Sequence, residues 1–316
     1  MSIFDAIIQG IVQGLTEFLP VSSSGHLLIS QHILGVKENN LFFNIMLHIG
    51  TLVAVLAVYW KKIFSLICAF FRIVSKILKG KFKLKSMDID EQMVITLIIG
   101  LIPLFLFFLP VPGTGMNIKD IANDLSSEKN IIIVGIALLV TSFMLYKGTH
   151  TKKYTTFSCI KQEGITQNGV LEGKEKISLI DAVWIGITQF IAAIFPGISR
   201  SGSTLSVGLV RGISKKTALD YSFILGIPAI VAAAILETKE AIEQDVLSTI
   251  DMTPVFVGMI VSVVVGFLAI KLFKWLLATD RMILFVVYTF LVGLLAVGIG
   301  VIEELKGFNI FTGLSI

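Results

Sequence analysis

Two stretches of this chain, offset by 176 residues, repeat one pattern: an apolar helix broken by a proline and a cluster of serines. Asp5-Ala6, Gly10, Gln13, Pro20 and Ser23 in the first fall on Asp181-Ala182, Gly186, Gln189, Pro196 and Ser199 in the second, and the register continues to Asn44 with Asp220 and Gly50 with Gly226. The breaks read Leu19-Pro20-Val21-Ser22-Ser23-Ser24-Gly25-His26 and Phe195-Pro196-Gly197-Ile198-Ser199-Arg200-Ser201-Gly202-Ser203-Thr204. A proline lacks the backbone donor that a helix interior needs and pushes the residue before it into an extended conformation, so each helix is expected to stop there. Broken helices in paired repeats build polar sites near the middle of a membrane.

With 55% hydrophobic and 15% charged residues and a mean hydropathy of +0.89, the chain reads as an integral membrane protein. Nearly charge-free runs near 41–60, 93–111, 131–147, 218–236, 255–278 and 282–302 are each long enough, or nearly so, to cross a hydrocarbon layer of ~30 Å. Segments 3–35 and 179–213 are also apolar, but their halves are too short to cross. Each is expected to form a re-entrant hairpin whose broken tip is surrounded by protein. The expected fold is all-α and polytopic: six transmembrane helices plus two re-entrant helical hairpins in an inverted-topology repeat. It forms one membrane domain, with repeat one at 1–147, a cytoplasmic linker at 148–177 and repeat two at 178–305. Residues 1–20 lack a basic leader and carry Asp5, Gln9, Gln13 and Glu17, so this segment is expected to stay in the mature chain.

If each hairpin returns to its own side and three spans follow it, both termini share one face. All but six of the 26 Lys and Arg then fall on the other face, the exceptions being Lys37, Lys119, Lys129, Lys239, Lys306 and Arg200. The positive-inside rule makes the cation-rich face cytoplasmic and places both termini outside. The net charge of +4 thus records orientation in a bilayer. The basic loops flank spans and lack interleaved aromatics, which argues against a nucleic-acid partner. Cys68 and Cys159 both fall on the cytoplasmic side, where disulfides are rare, and read as bystanders. A homodimer is compatible with the sequence but not required by it.

Asp5, Gln9, Gln13 and Glu17 recur every four residues and form one polar stripe on an apolar helix. At the 176-residue offset Glu17 meets Ala193 while Ser24 meets Arg200, so one copy supplies a carboxylate and the other a guanidinium. A charge at mid-membrane costs roughly 2.5–3.5 kcal/mol or more, which makes both residues functional candidates by default. The competing reading is an ion pair that merely locks the hairpins together. Gly25, Gly197 and Gly202 let the backbone approach a ligand, and the helix starts after each break aim their positive dipole ends at it. Ser22, Ser23, Ser24, Ser199, Ser201, Ser203 and Thr204 add hydroxyl donors, and Arg200 adds a planar fork. Phosphate or pyrophosphate matches that set, although for any single serine a capping role explains it equally well. His26, three residues past Ser23, is expected within reach of Glu17 and is a candidate acid, base or nucleophile, whereas His32, His48 and His150 read as structural. Zinc-type spacing is absent; a divalent cation, Mg²⁺ or Ca²⁺, bridging Glu17 and phosphate oxygens is compatible, with Gln13 a weaker ligand.

Gln13-Gly14-Leu15-Thr16-Glu17 with Phe18-Leu19-Pro20-Val21-Ser22-Ser23-Ser24-Gly25-His26, and Pro196-Gly197-Ile198-Ser199-Arg200-Ser201-Gly202-Ser203-Thr204, closely resemble the two signature motifs of bacterial undecaprenyl-pyrophosphate phosphatases. The resemblance extends over nearly the whole chain. It implies hydrolysis of the C55 isoprenoid diphosphate to the monophosphate and inorganic phosphate, which recycles the lipid carrier of cell-wall synthesis and confers bacitracin resistance. It also implies a bacterial plasma-membrane site opening to the outer face, with Glu17, Ser23, His26, Ser199, Arg200 and Thr204 in the active site. Here Gln13 stands at a position often occupied by Glu in that family, which leaves Glu17 the only carboxylate in the motif and weakens a two-carboxylate metal site. The residues themselves leave the nucleophile open among Ser23, a water activated by Glu17, and His26. The alternative class is a secondary transporter or flippase for an anionic or lipid-phosphate substrate, since broken helices in inverted repeats also describe carriers. A carrier needs an anion site but neither acid nor base, so Glu17 and His26 discriminate the two.

Overall fold

The computed structural model describes residues 1–35, 41–127, 131–151, 173–243 and 251–314; Cys159 and most of the linker lie outside them. The described residues form helices α1 (Ile3–Phe18), α2 (Ser23–Leu34), α3 (Leu41–Leu78), α4 (Ile89–Leu101), α5 (Ile118–Ser127), α6 (Ile131–His150), α7 (Leu179–Ile194), α8 (Arg200–Val210), α9 (Lys215–Glu243), α10 (Met252–Ala278) and α11 (Ile283–Lys306). Among the described residues, six helical stretches are long and apolar enough to cross a membrane: Phe42–Leu78, Ile89–Phe108, Ile131–His150, Lys215–Glu243, Met252–Ala278 and Ile283–Lys306. The protein is an all-α, multi-pass membrane protein.

Both breaks fall where proline predicts. α1 ends at Phe18 with Leu19 extended before Pro20, and α7 ends at Ile194 with Phe195 extended before Pro196. The two helices also begin alike. Ser2 and Ser178, again 176 residues apart, each cap their helix by accepting from the N–H of the third helical residue, Asp5 and Asp181, whose carboxylates return the bond.

Two helices differ from the sequence expectation. The span expected at 41–60 is the first part of a 38-residue helix, because residues 61–78 contain no Gly or Pro. Their Leu66, Ala69 and Ile73 keep a buried stripe within the core cluster that includes Phe273, Leu276 and Leu277. The span near 93–111 stops being α-helical at Leu101 and continues as a 3₁₀ helix over Ile102–Phe108, where Pro103 removes the donor an α-helix would use. Helix α5 has no counterpart among the expected elements; it packs on α7 and on that 3₁₀ segment.

Glycines set the closest crossings. A Cβ at Gly10 would lie 2.6 Å from the Gly258 carbonyl oxygen, so α1 beds onto α10. At the equivalent position of the second copy, a Cβ at Gly186 would lie 2.5 Å from the Gly100 carbonyl oxygen, so α7 beds onto α4. Small residues permit such approach where lipid supplies no hydrophobic drive between helices. Beside the first break, Phe18 meets Phe223 (ring centroids 5.3 Å), which meets Phe273 (5.8 Å), which meets Phe285 (5.3 Å). This row ties α1, α9, α10 and α11 together at the residue next to Glu17 and so anchors the end of α1 that carries that carboxylate.

Candidate active site

The two breaks meet. Gly202 sits so close to Pro20 that a Cβ there would lie 3.1 Å from the Pro20 carbonyl oxygen, and the Gly197 N–H donates to Ser24 Oγ at 3.3 Å. Packing of α8 on α6 and α9, and of α2 on α1, brings the last turn of α1 against the first turn of α8.

Glu17, buried at 6% exposure, is the hub. Its Oε1 accepts from Arg200 Nη2 at 2.7 Å, and its Oε2 accepts from Ser23 Oγ at 2.7 Å and from Gln13 Nε2 at 2.9 Å. Arg200 lies flat on α9 at Gly226, where any Cβ would collide with Nη1 and lie 2.6 Å from Cζ. Its Nη1 is buried without a hydrogen-bond partner among the described residues. Arg200 therefore keeps a free donor beside a neutralised carboxylate, while Ser23 remains half-buried and Ser24 exposed.

The remaining hydroxyls divide by copy. Ser22 takes φ 74°, a conformation L residues rarely adopt and one that costs about 1–3 kcal/mol. Its Oγ accepts from the Gly25 N–H at 3.2 Å and lies 3.3 Å from Ser24 Oγ, and its carbonyl accepts from the His26 N–H at 3.2 Å and from His26 Nδ1 at 2.8 Å. In the second break Ser199 caps α8 by accepting from the Gly202 N–H at 3.0 Å, Ser201 donates to the Leu19 carbonyl at 3.3 Å, and Ser203 donates to the Met144 sulfur at 3.5 Å. Thr204 donates to the Arg200 carbonyl at 2.8 Å and lies 2.6 Å from Ser222 Oγ. All four of these side chains are buried and engaged with the protein. The positive φ falls at Ser22 in one break and at Gly197, φ 98°, in the other, positions that do not correspond at the 176-residue offset, so the turns are related in sequence but not superposable residue by residue.

His26 is in the site but is not among the hydrogen-bond or ion-pair partners of Glu17. A carbonyl only accepts, so Nδ1 carries the proton toward Ser22, and Nε2 accepts from the Tyr288 hydroxyl of α11 at 2.8 Å. The residue that does approach Glu17 is His48 of α3, with Nδ1 3.5 Å from Oε2 and 2.9 Å from Gln13 Nε2. Sequence reasoning placed His48 among structural histidines and missed Tyr288 and Gly226. The 176-residue register, which pairs Gly226 with Gly50 two residues past His48, was the available signal that α3 and α9 flank the site. His32 does have a structural setting: it bonds Glu303 at 2.8 Å and the C-terminal Asn309. His150 lies at the exposed end of α6 with Tyr146.

The donor set does not fit a protein-held divalent cation. Glu17 is the sole carboxylate among these groups and both its oxygens are engaged, one of them by a guanidinium. Gln13 presents its nitrogen, and its Oε1, the atom able to ligate, is buried elsewhere without a partner among the described residues. The arrangement can instead bind an anion at Arg200 and hold a hydroxyl on a carboxylate.

A family model described as bacitracin resistance protein BacA matches residues 6–295. Among curated relatives, an undecaprenyl-diphosphatase of Alkaliphilus metalliredigens is 36% identical over 297 residues, covering 93% of this chain and 97% of its own length. One of Carboxydothermus hydrogenoformans is 34% identical over 294 residues, with 93% and 95% covered. One of Methanosphaera stadtmanae is 34% identical over 305 residues, with 96% and 99% covered.

Proposed function

We propose, from the premise that this chain belongs to the bacitracin resistance protein BacA family, a mechanism in which the two breaks divide the work. The protein hydrolyses undecaprenyl diphosphate to the monophosphate and inorganic phosphate, the activity that underlies bacitracin resistance. The observation that carries the mechanism is the pair of short bonds on one carboxylate: Ser23 Oγ to Oε2 and Arg200 Nη2 to Oε1, each 2.7 Å. A hydroxyl donating to a buried carboxylate is a nucleophile beside its base.

In this reading Arg200 exchanges part of its bond to Glu17 for the terminal phosphate and stabilises the charge spread over the transferring phosphoryl group. The proton of Ser23 passes to Glu17 as Oγ bonds to the terminal phosphorus. The bridging P–O bond breaks and its electron pair leaves with the lipid monophosphate. Water then attacks the phosphorus, the Oγ–P bond breaks, and the proton held on Glu17 returns to Ser23 Oγ as phosphate leaves; His26 is suited to accept the water's proton, because its Nε2 is the acceptor that Tyr288 engages in the resting site. Ser22, Ser24 and the helix starts at Ser23 and Arg200 line the phosphate position, while Ser199, Ser201 and Thr204 fix the first turn of α8 and so hold Arg200 in place.

Replacing Glu17 by Gln tests this. Phosphate release should fall by about 10³-fold with binding of the lipid diphosphate retained. A pair that served only as a lock would instead lose about 3–5 kcal/mol of stability and keep turnover in the surviving folded protein.

Orientation belongs to the same proposal. The reciprocal bedding of α1 on α10 and α7 on α4 supports an inverted repeat with re-entrant hairpins, a pseudo-two-fold relation in which each break packs on the other copy's span. With the cation-rich ends inside, the site opens to the outer side of the bacterial plasma membrane and both termini lie outside. Asn309→Cys should label with an impermeant thiol reagent on intact cells and Lys83→Cys should not, both with Cys68 and Cys159 replaced. The opposite pattern inverts the topology.

A further inference from the structure

We infer that Tyr288 of α11 is a positioning residue for the second half of the reaction: its hydroxyl and His26 Nε2 together seat the water that releases phosphate from Ser23. The inference rests on the proposed Ser23 and Glu17 chemistry.

Helix α2 packs on α1 and α6, and two side-chain bridges tie it to α11. Away from the site, His32 Nε2 meets Glu303 at 2.8 Å; at the site, His26 Nε2 meets the Tyr288 hydroxyl at 2.8 Å. The two bridges differ in setting. Glu303 is 1% exposed and also accepts from the Ile310 N–H at 2.9 Å. Tyr288 is 44% exposed, and among the described residues its hydroxyl has His26 as its one hydrogen-bond partner. A bond that served only to join helices would gain little there, because water competes for both groups. Its geometry is nonetheless well defined. The two rings are nearly parallel, 12° apart with centroids at 5.6 Å, and the far edge of the imidazole is fixed by Nδ1 on the Ser22 carbonyl at 2.8 Å. Ser23 and His26, three residues apart in α2, share a face of that helix. A phosphoryl group on Ser23 Oγ and the Tyr288 and His26 pair therefore lie on the same side of α2.

Water entering between Nε2 and the phenol gives one hydrogen to Nε2 and the other to the Tyr288 oxygen, both of which can accept. The phenol's own hydrogen, released from Nε2, turns to a non-bridging oxygen of the phosphoserine. Both water hydrogens are then engaged, and a lone pair is left to face phosphorus. As the water oxygen bonds to phosphorus, its first proton passes to Nε2. The Oγ–P bond breaks with its electron pair on Oγ, and the proton stored on Glu17 since the first step returns there. The second water hydrogen stays on the phosphate, and Nε2 hands its proton to the phosphate as it departs, which restores the neutral ring and its bond to Tyr288. Tyr288 keeps its own proton throughout and takes no part in forming the phosphoserine. Its contribution is confined to orienting water in the second step.

The test is rapid-quench turnover of C55 diphosphate labelled in its terminal phosphate, in detergent, with melting curves for every variant. Tyr288→Phe keeps the ring and removes the hydroxyl. Labelled protein should form at the wild-type rate and accumulate, and kcat should fall by about 10-fold. KM should fall in step, because kcat/KM reads only the events up to departure of the lipid monophosphate. His32→Ala cuts the other bridge between α2 and α11; it should melt lower, trap no label and keep kcat within about 2-fold. A wild-type kcat in Tyr288→Phe, or a loss that falls on kcat/KM, would overturn the inference. So would label trapped equally by His32→Ala, since the hydroxyl would then be a tether. His26→Gln separates the levels, because it removes the base whatever Tyr288 does and should trap label on Ser23. If it does so while Tyr288→Phe behaves as wild type, only the role of Tyr288 falls; if neither variant traps label, the phosphoserine mechanism falls and the inference with it.

Discussion

The two breaks share a scaffold and use their polar groups differently. In the first, Ser24 is exposed and Ser23 half-buried, and Ser23 donates to Glu17, the only carboxylate among the described residues of the two breaks. In the second, Ser199, Ser201, Ser203 and Thr204 bond within the fold, and the Arg200 side chain reaches across to the carboxylate of the first. Duplication supplies the same proline-broken frame twice; the chemistry comes from the positions where the copies diverged, Glu17 against Ala193 and Arg200 against Ser24. A serine-rich turn is therefore weak evidence of a ligand contact until the direction of each hydroxyl is known.

The sharpest way to break this division is to keep the second break's charge and remove its shape. Arg200→Lys should cost about 10³-fold in phosphate release, because a point charge replaces neither the bond to Glu17 nor the second donor for phosphate. Near-normal turnover would mean that the second break contributes charge only. A direct contrast between the copies follows. Ser23→Ala should lose about 10²-fold or more in kcat with an unchanged melting temperature. Ser203→Ala should keep kcat within about 2-fold and lose about 1 kcal/mol of stability, since it removes only a buried bond to Met144. Equal kinetic losses would erase the assigned difference. A loss smaller than that of Ser23→Ala comes from Gly226→Ala. Alanine favours the helix by about 1 kcal/mol, yet its Cβ would press on Arg200, so activity should drop by about 10-fold in a protein that melts no lower. Retained activity would show that Arg200 does not depend on its bed on α9.

Much of this is legible in the sequence because the relevant signals are local. Hydropathy marks the spans, and Pro20 and Pro196 stop their helices whatever surrounds them. The continuation of α3 beyond residue 60 is harder to read: Lys61 and Lys62 end an apolar window, but nothing in residues 61–78 ends a helix, so hydropathy and backbone chemistry give different boundaries. The expected proximity of His26 to Glu17 rests on sequence spacing, whereas the ring is drawn to Ser22 and to Tyr288, 262 residues away. His48 escapes a sequence reading because an isolated histidine in an apolar helix carries no motif.

What the chain determined by itself is the class of protein, the places where two helices must break, and the fact that one copy carries a carboxylate and the other a guanidinium. These follow from composition, from the missing proline donor, and from the cost of a charge in lipid. What only the tertiary structure decided is which groups face one another. The approach of α3 put His48 beside Gln13 and Glu17, α11 brought Tyr288 to His26, and the absence of a side chain at Gly226 gave Arg200 room to lie flat. Helix crossings set by glycine contacts fix side chains to within about an ångström, and no pattern along the chain encodes distances between residues so far apart.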